Sequence, residues 1–96
     1  MVSVRRLIWD DWNVLHIARH QVLPEEAREV CEGDPIFRGS YAGRILAIGP
    51  TRAGRMLTVA LDPEPEGEGV FYPVTARPAS RKERRRYREA KGGETT

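Results

Sequence analysis

Between Thr75 and Tyr87 the chain reads Thr-Ala-Arg-Pro-Ala-Ser-Arg-Lys-Glu-Arg-Arg-Arg-Tyr, an apolar strand running through an arginine into an arginine-rich helix. Ser80 and Glu83 have the spacing of a capping box, in which the hydroxyl takes one unpaired amide of a helix start and the carboxylate reaches back to another. The helix is therefore expected to begin near Arg81. A helix start carries partial positive charge, so Arg77 and Arg81 are poorly placed beside it unless an anion joins them. Phosphate suits this corner, because a guanidinium grips two of its oxygens at once. The competing reading of Arg81, Lys82, Arg84, Arg85, Arg86 and Arg88 is a solvated helix face, which a run of like charge forms as readily.

Other residues offer less. His16 and His20 stand four apart on an expected helix, the separation of two-histidine metal sites, but no third ligand is apparent and Ile17 follows His16 where a zinc-protease helix has glutamate. No metal and no cofactor is expected. Ser80 is explained as a cap before it is explained as a nucleophile. Gly39, Gly43, Gly49 and Gly54 are spaced as turn residues and make no phosphate loop. Cys31 is the sole cysteine, which excludes an intrachain disulfide and a cysteine-based zinc framework.

Charge is divided along the chain. Residues 1–76 hold 8 arginines and 11 acids, net −3, whereas 77–96 hold 8 basic and 3 acidic residues, net +5. The C-terminal end is thus expected to meet a polyanion or an acidic protein segment. No stretch resembles a signal peptide or approaches a membrane span, so no membrane partner and a cytoplasmic location are expected. Ninety-six residues suit one domain, placed at 1–91, with 92–96 as a flexible tail.

The elements that must position the basic corner read as mixed α and β. Val4–Trp9 is expected as a first strand. Asp10 or Asp11 then caps a helix that turns Trp12, Leu15 and Ala18 to the core, with His16 and His20 alongside. Pro24 opens a second helix, with Glu25 and Glu26 in its positive first turn, Ala27, Val30 and Cys31 buried, and Gly33 at its end. Extended segments follow at Ile36–Arg38, Arg44–Ile48, Met56–Leu61 and Val70–Ala76, the last two joined by an acidic loop rich in proline and glycine. Pro73 lacks a ladder donor and implies an edge or a bulge. Tyr87 and Ala90 should pack the last helix while its arginines face out.

In order and spacing the chain resembles the BrnT toxins of bacterial type II toxin–antitoxin modules, over approximately Trp9 to Glu89. The resemblance lies in Arg19-His20 before Val22, Glu25-Glu26-Ala27, Asp34-Pro35, Ala47-Ile48-Gly49, Gly54-Arg55-Met56-Leu57, and above all Ala76-Arg77 followed by Arg84-Arg85 and Tyr87. The chain departs from the family's usual pattern in lacking asparagine near His16, lysine at Arg19 and glycine at Gln21, and in carrying Tyr72 and Pro73. The resemblance implies an α+β, RelE-like fold, with helices on a twisted, mainly antiparallel sheet and a C-terminal helix. It also implies an endoribonuclease that inhibits translation and is held inactive in a hetero-oligomer by a DNA-binding antitoxin, expected to be of the ribbon-helix-helix type.

Metal-free RNA cleavage needs a base for the 2′-hydroxyl, an acid for the departing 5′-oxygen and cations for the charge at phosphorus. On this reading the catalytic candidates are His20, as base or acid, with Arg77 and Arg81 as clamps. Arg19, Arg84, Arg85, Arg88 and Tyr87 are the RNA-binding candidates, though Tyr87, opposite the solvated face of its helix, is more often a core residue, and Glu26 is better placed for the helix dipole than as a base. The rival is a non-catalytic module whose basic helix docks an acidic partner segment or nucleic acid. A third reading, self-pairing through Val70–Thr75, is opposed by Pro73.

Overall fold

The computed structural model describes residues 2–92. Asp10 starts the first helix, α1 (Asp11–Ala18), by a reciprocal cap: its carboxylate accepts from Asn13 N–H and its own N–H donates to Asn13 Oδ1, both at 2.9 Å. The helix ends with Gln21 at φ +62°, while Val22 N–H reaches back to Ile17 O. This is a cap built on a left-handed residue, at a position where glycine would carry no steric cost. Pro24 then opens α2 (Pro24–Glu32), and Gly33 closes it.

Five strands form one sheet: β1 (Arg6–Leu7), β2 (Ile36–Gly39), β3 (Ile45–Pro50), β4 (Met56–Pro63) and β5 (Val70–Pro78). Their order is β1-β5-β4-β3-β2, antiparallel throughout except for the parallel pairing of β1 with β5. The final helix, α3 (Arg81–Gly92), follows β5 after two residues. Gly92 thus belongs to α3, and 93–96 of the expected tail lie outside the described residues.

Leu57, Val59 and Leu61 of β4 join Ile17, Val22, Ala27, Val30 and Cys31 in one buried cluster with Ala47, Phe71 and Ala76. Successive strand residues point to opposite faces, so Thr58 points away from α1 and α2, and its hydroxyl meets Glu83 of α3. The sheet therefore lies between α1 and α2 on one side and α3 on the other. Ile48, the cross-strand partner of Thr58, is fully buried on the α3 side. Among the described residues no helix is long and apolar enough to cross a membrane.

The α+β class and mainly antiparallel sheet agree with the sequence reading; several details do not. α1 buries Asn13 and Ile17, while Trp12 and Leu15 are 56% and 68% exposed and Ala18 is also at the surface. Asn13 is cheap to bury because its amide donates to Ile8 O and Pro73 O, both at 3.0 Å, and its oxygen takes Asp10 N–H. β1 is shorter than expected, since it pairs with β5 only at Val70 and Phe71 before the chain turns into the cap at Asp10. β5 lies inside the sheet, which removes the self-pairing edge at Val70–Phe71, and Pro73 sits at a register shift, as a bulge demands. Gly49 is a strand residue, not a turn residue: a Cβ there would lie 3.1 Å from the Pro35 Cα. In α3, Tyr87 packs but Ala90 is exposed.

Candidate nucleic-acid interface

The strand-to-helix corner forms as the capping pattern predicts. Ser80 N–H donates to Glu83 Oε1 at 2.8 Å, and Glu83 N–H donates to Ser80 Oγ at 3.1 Å, so α3 begins at Arg81. The anion that Arg77 requires is Glu83 itself. Arg77 Nη1 and Nη2 donate to the two carboxylate oxygens at 2.8 and 2.9 Å, and Thr58 Oγ1–H adds a third side-chain contact at 2.8 Å. The Glu83 carboxyl is consequently pulled down to about 2, chiefly by Arg77, with the Ser80 amide and Thr58 hydroxyl assisting against burial. Arg77 is raised in turn by the same contact.

This pairing corrects the expectation that a phosphate is needed to settle Arg77, but it leaves the guanidinium a second use. Glu83 takes the end defined by Nη1 and Nη2, and Nη1 also donates to Pro78 O at 3.3 Å. The side edge defined by Nε and Nη2 has no partner among the described residues, and Arg77 is 39% exposed. A guanidinium held this way can offer a second fork to an oxyanion.

Arg81, Arg85 and Arg88 recur at i, i+4 and i+7 and form an exposed stripe without ion pairs among the described residues. Arg84 flanks it, though Nη1 is engaged by Ala79 O at 2.8 Å. Tyr87 lies on the inward side, its hydroxyl donating to Asp34 O at 3.2 Å, and Lys91 also ties α3 to Asp34 through a 2.8 Å ion pair. Tyr87 is thus half-buried against Asp34, while it also lines an open cavity with Arg88 of the cationic stripe and Lys91.

Arg19 and His20 are exposed at the end of α1. Arg55, named in the sequence only within the Gly54-Arg55-Met56-Leu57 stretch, ties the backbone at His20 and Gln21 to the same end of the sheet as the basic corner, but on the face that carries α1, and no contact among the described residues joins the His20 ring to Arg77 or Arg81. Arg55 donates to Gln21 O at 2.6 Å, His20 O at 3.4 Å and Glu26 Oε1 at 3.1 Å. It follows Gly54, whose φ of +90° shapes the turn between β3 and β4, and the next residue, Met56, accepts the Ala79 amide at 2.9 Å through its carbonyl. One turn thus braces both the end of α1 and the start of α3. Glu26 is held by Arg55 and by Leu23 N–H, which fits its expected place in the first turn of α2.

His16 lies between Trp12, on which it stacks, and His20. No group of three or more His, Cys, Asp or Glu side chains among the described residues is placed to hold a metal ion. Cys31 is buried, and burial with the nearby Glu32 charge pushes its thiol up to about 12, so it stays protonated and unreactive. Sequence reasoning found Arg77, Ser80 and the helix start. It missed Thr58, Arg55 and the second role of Glu83, because each acts through a partner distant in sequence or around a corner. Comparison of the chain with protein-family models, curated proteins and solved structures finds no match.

Proposed function

We propose that the chain is the toxin of a type II toxin–antitoxin module, a RelE-like endoribonuclease similar to the BrnT toxins that cleaves RNA in the cytoplasm, inhibits translation and is neutralised by a cognate DNA-binding antitoxin. The observation that carries this reading is the stripe of guanidiniums at Arg81, Arg85 and Arg88, without ion pairs among the described residues, set beside a braced Arg77 and at the sheet end to which Arg55 ties the His20 backbone. RNA lies along α3, held through its phosphates.

In the proposed reaction His20 takes the proton of the 2′-hydroxyl, the 2′-oxygen attacks phosphorus, and the bond to the 5′-oxygen breaks. The products are a 2′,3′-cyclic phosphate and a 5′-hydroxyl, the departing oxygen receiving its proton from water or from the protonated His20. Arg81 and the free edge of Arg77 hold the phosphoryl oxygens as charge builds there. Glu83 does not serve as the base: a carboxyl titrating near 2 is too weak to accept that proton at neutral pH. It fixes the direction of Arg77 instead.

The second reading, a non-catalytic module that docks RNA or an acidic partner segment on α3, is favoured by the same Arg77–Glu83 pair, which leaves Arg77 with a structural task. Incubating the purified chain with total RNA in the presence of chelator, beside Arg77→Ala, separates the two. Cleavage by the parent, with the variant losing cutting far more than RNA binding, is the expected result. No cleavage by folded parent protein, or equal losses of cutting and binding in the variant, would move the assignment to the docking module.

A further inference from the structure

The outer side of α1 carries a strip that the core does not use. Trp12 and His16 are stacked with ring centroids 4.7 Å apart and planes only 8° from parallel, and His20 meets His16 edge-on at 6.0 Å. Trp12 and His16 are spaced i and i+4 on α1, and His20, in the turn that follows the helix, continues the row through its contact with His16. Trp12 and Leu15 are more than half exposed, and with His16 and Arg19 they line an open cavity of about 290 Å³. Large apolar side chains grouped at a surface mark a binding face.

The chemistry of the strip selects its occupant. Arg19 has no partner among the described residues, whereas Asp10 at the other end of α1 is held by Asn13 N–H and Tyr72 OH, and Asp11 lies in the first turn. An apolar peptide laid here would bury the imidazoles and the guanidinium without partners, at a cost in desolvation. A nucleobase continues a stack of flat rings, and its phosphate matches Arg19. The strip also runs to His20, which Arg55 ties to the turn beneath the basic corner.

We propose that this strip is a stacking subsite for single-stranded RNA, with an unpaired base extending the Trp12–His16 stack and Arg19 taking the adjoining phosphate. The inference rests on the RNA-directed reading above and extends its contact surface from α3 to α1. Any base has a flat face, so the subsite adds affinity with little sequence preference.

The test is fluorescence anisotropy with a short labelled 2′-O-methyl oligonucleotide, which lacks the 2′-hydroxyl and so reports binding apart from cleavage. Trp12→Leu is expected to weaken binding about tenfold, Trp12→Phe to stay close to the parent, and an abasic oligonucleotide to bind parent and Trp12→Leu alike. Arg19→Gln, at an exposed position, is a second probe: it should lower affinity and reduce the slope of log affinity against log salt by about one. Unchanged affinity in Trp12→Leu and Arg19→Gln, with loss in Arg85→Ala, would overturn the subsite while leaving RNA binding on α3 intact. No binding by the parent would remove both readings. Loss of a co-purifying protein by Trp12→Leu, with oligonucleotide affinity unchanged, would assign the strip to a protein partner and overturn the proposal.

Discussion

Glu83→Gln isolates the charge at the centre of the strand-to-helix corner. Glutamine keeps an oxygen for the Ser80 amide and the Thr58 hydroxyl, so what is lost is the ion pair with Arg77. Moving a carboxyl from its ordinary 4.5 to about 2 corresponds to ~3.5 kcal/mol at ~1.4 kcal/mol per pH unit, of which Arg77 is the largest source and the retained Ser80 and Thr58 bonds supply a part. Arg77 is 39% exposed, and solvent screening reduces this to ~1–2 kcal/mol. For a chain of 96 residues that lowers the midpoint of thermal unfolding by about 5–15 °C at neutral pH. The sign of the pH dependence follows from the lowered value. The folded state releases the proton more readily than the unfolded state, so the stabilisation is complete above 4.5 and is lost as pH falls through about 2. Urea unfolding of parent and variant from pH 7 downward should show two curves that converge across this window. A gap that stays constant over the whole range, or no gap at neutral pH, would refute the assignment of Glu83 as the charged anchor of Arg77.

Two further outcomes test how α1 is held. Asn13→Ala leaves the carbonyls of Ile8 and Pro73 and the Asp10 amide without their side-chain partner, so urea denaturation should show a loss of about 2–4 kcal/mol; a loss below about 1 kcal/mol would deny Asn13 its role in the core. Gln21→Gly relieves a left-handed residue at φ +62° and should raise stability by about 0.5–1 kcal/mol after the entropy cost of glycine, seen as a higher thermal midpoint with unchanged RNA binding.

Much of the fold was legible because its signals are local. Asp10 before α1, Pro24 at the start of α2, Gly33 at its end and Ser80 with Glu83 each act within about one helical turn, and all appear where their residue types imply. The alternation from Met56 to Leu61 likewise placed Leu57, Val59 and Leu61 together in the core. The rotation of α1 was not legible. Hydrophobicity favours turning Trp12 and Leu15 inward, yet the helix is oriented by Asn13, whose polar groups are satisfied by Ile8 and by Pro73, 60 positions further along the chain. No pattern within α1 announces that acceptor.

The basic corner divides in the same way. Residue types and short spacing determined that a helix starts after Ser80, that cationic side chains crowd its first turns, and that Arg77 needs an anion beside it. Only tertiary structure decided that Glu83 supplies the anion, that Thr58 steadies it from β4, and that Arg55 draws the end of α1 to the turn that braces α3. The physical reason is reach. Caps and turns are settled by neighbours a few residues apart, whereas an ion pair across a corner or a hydroxyl facing a helix depends on where the sheet brings distant backbone together.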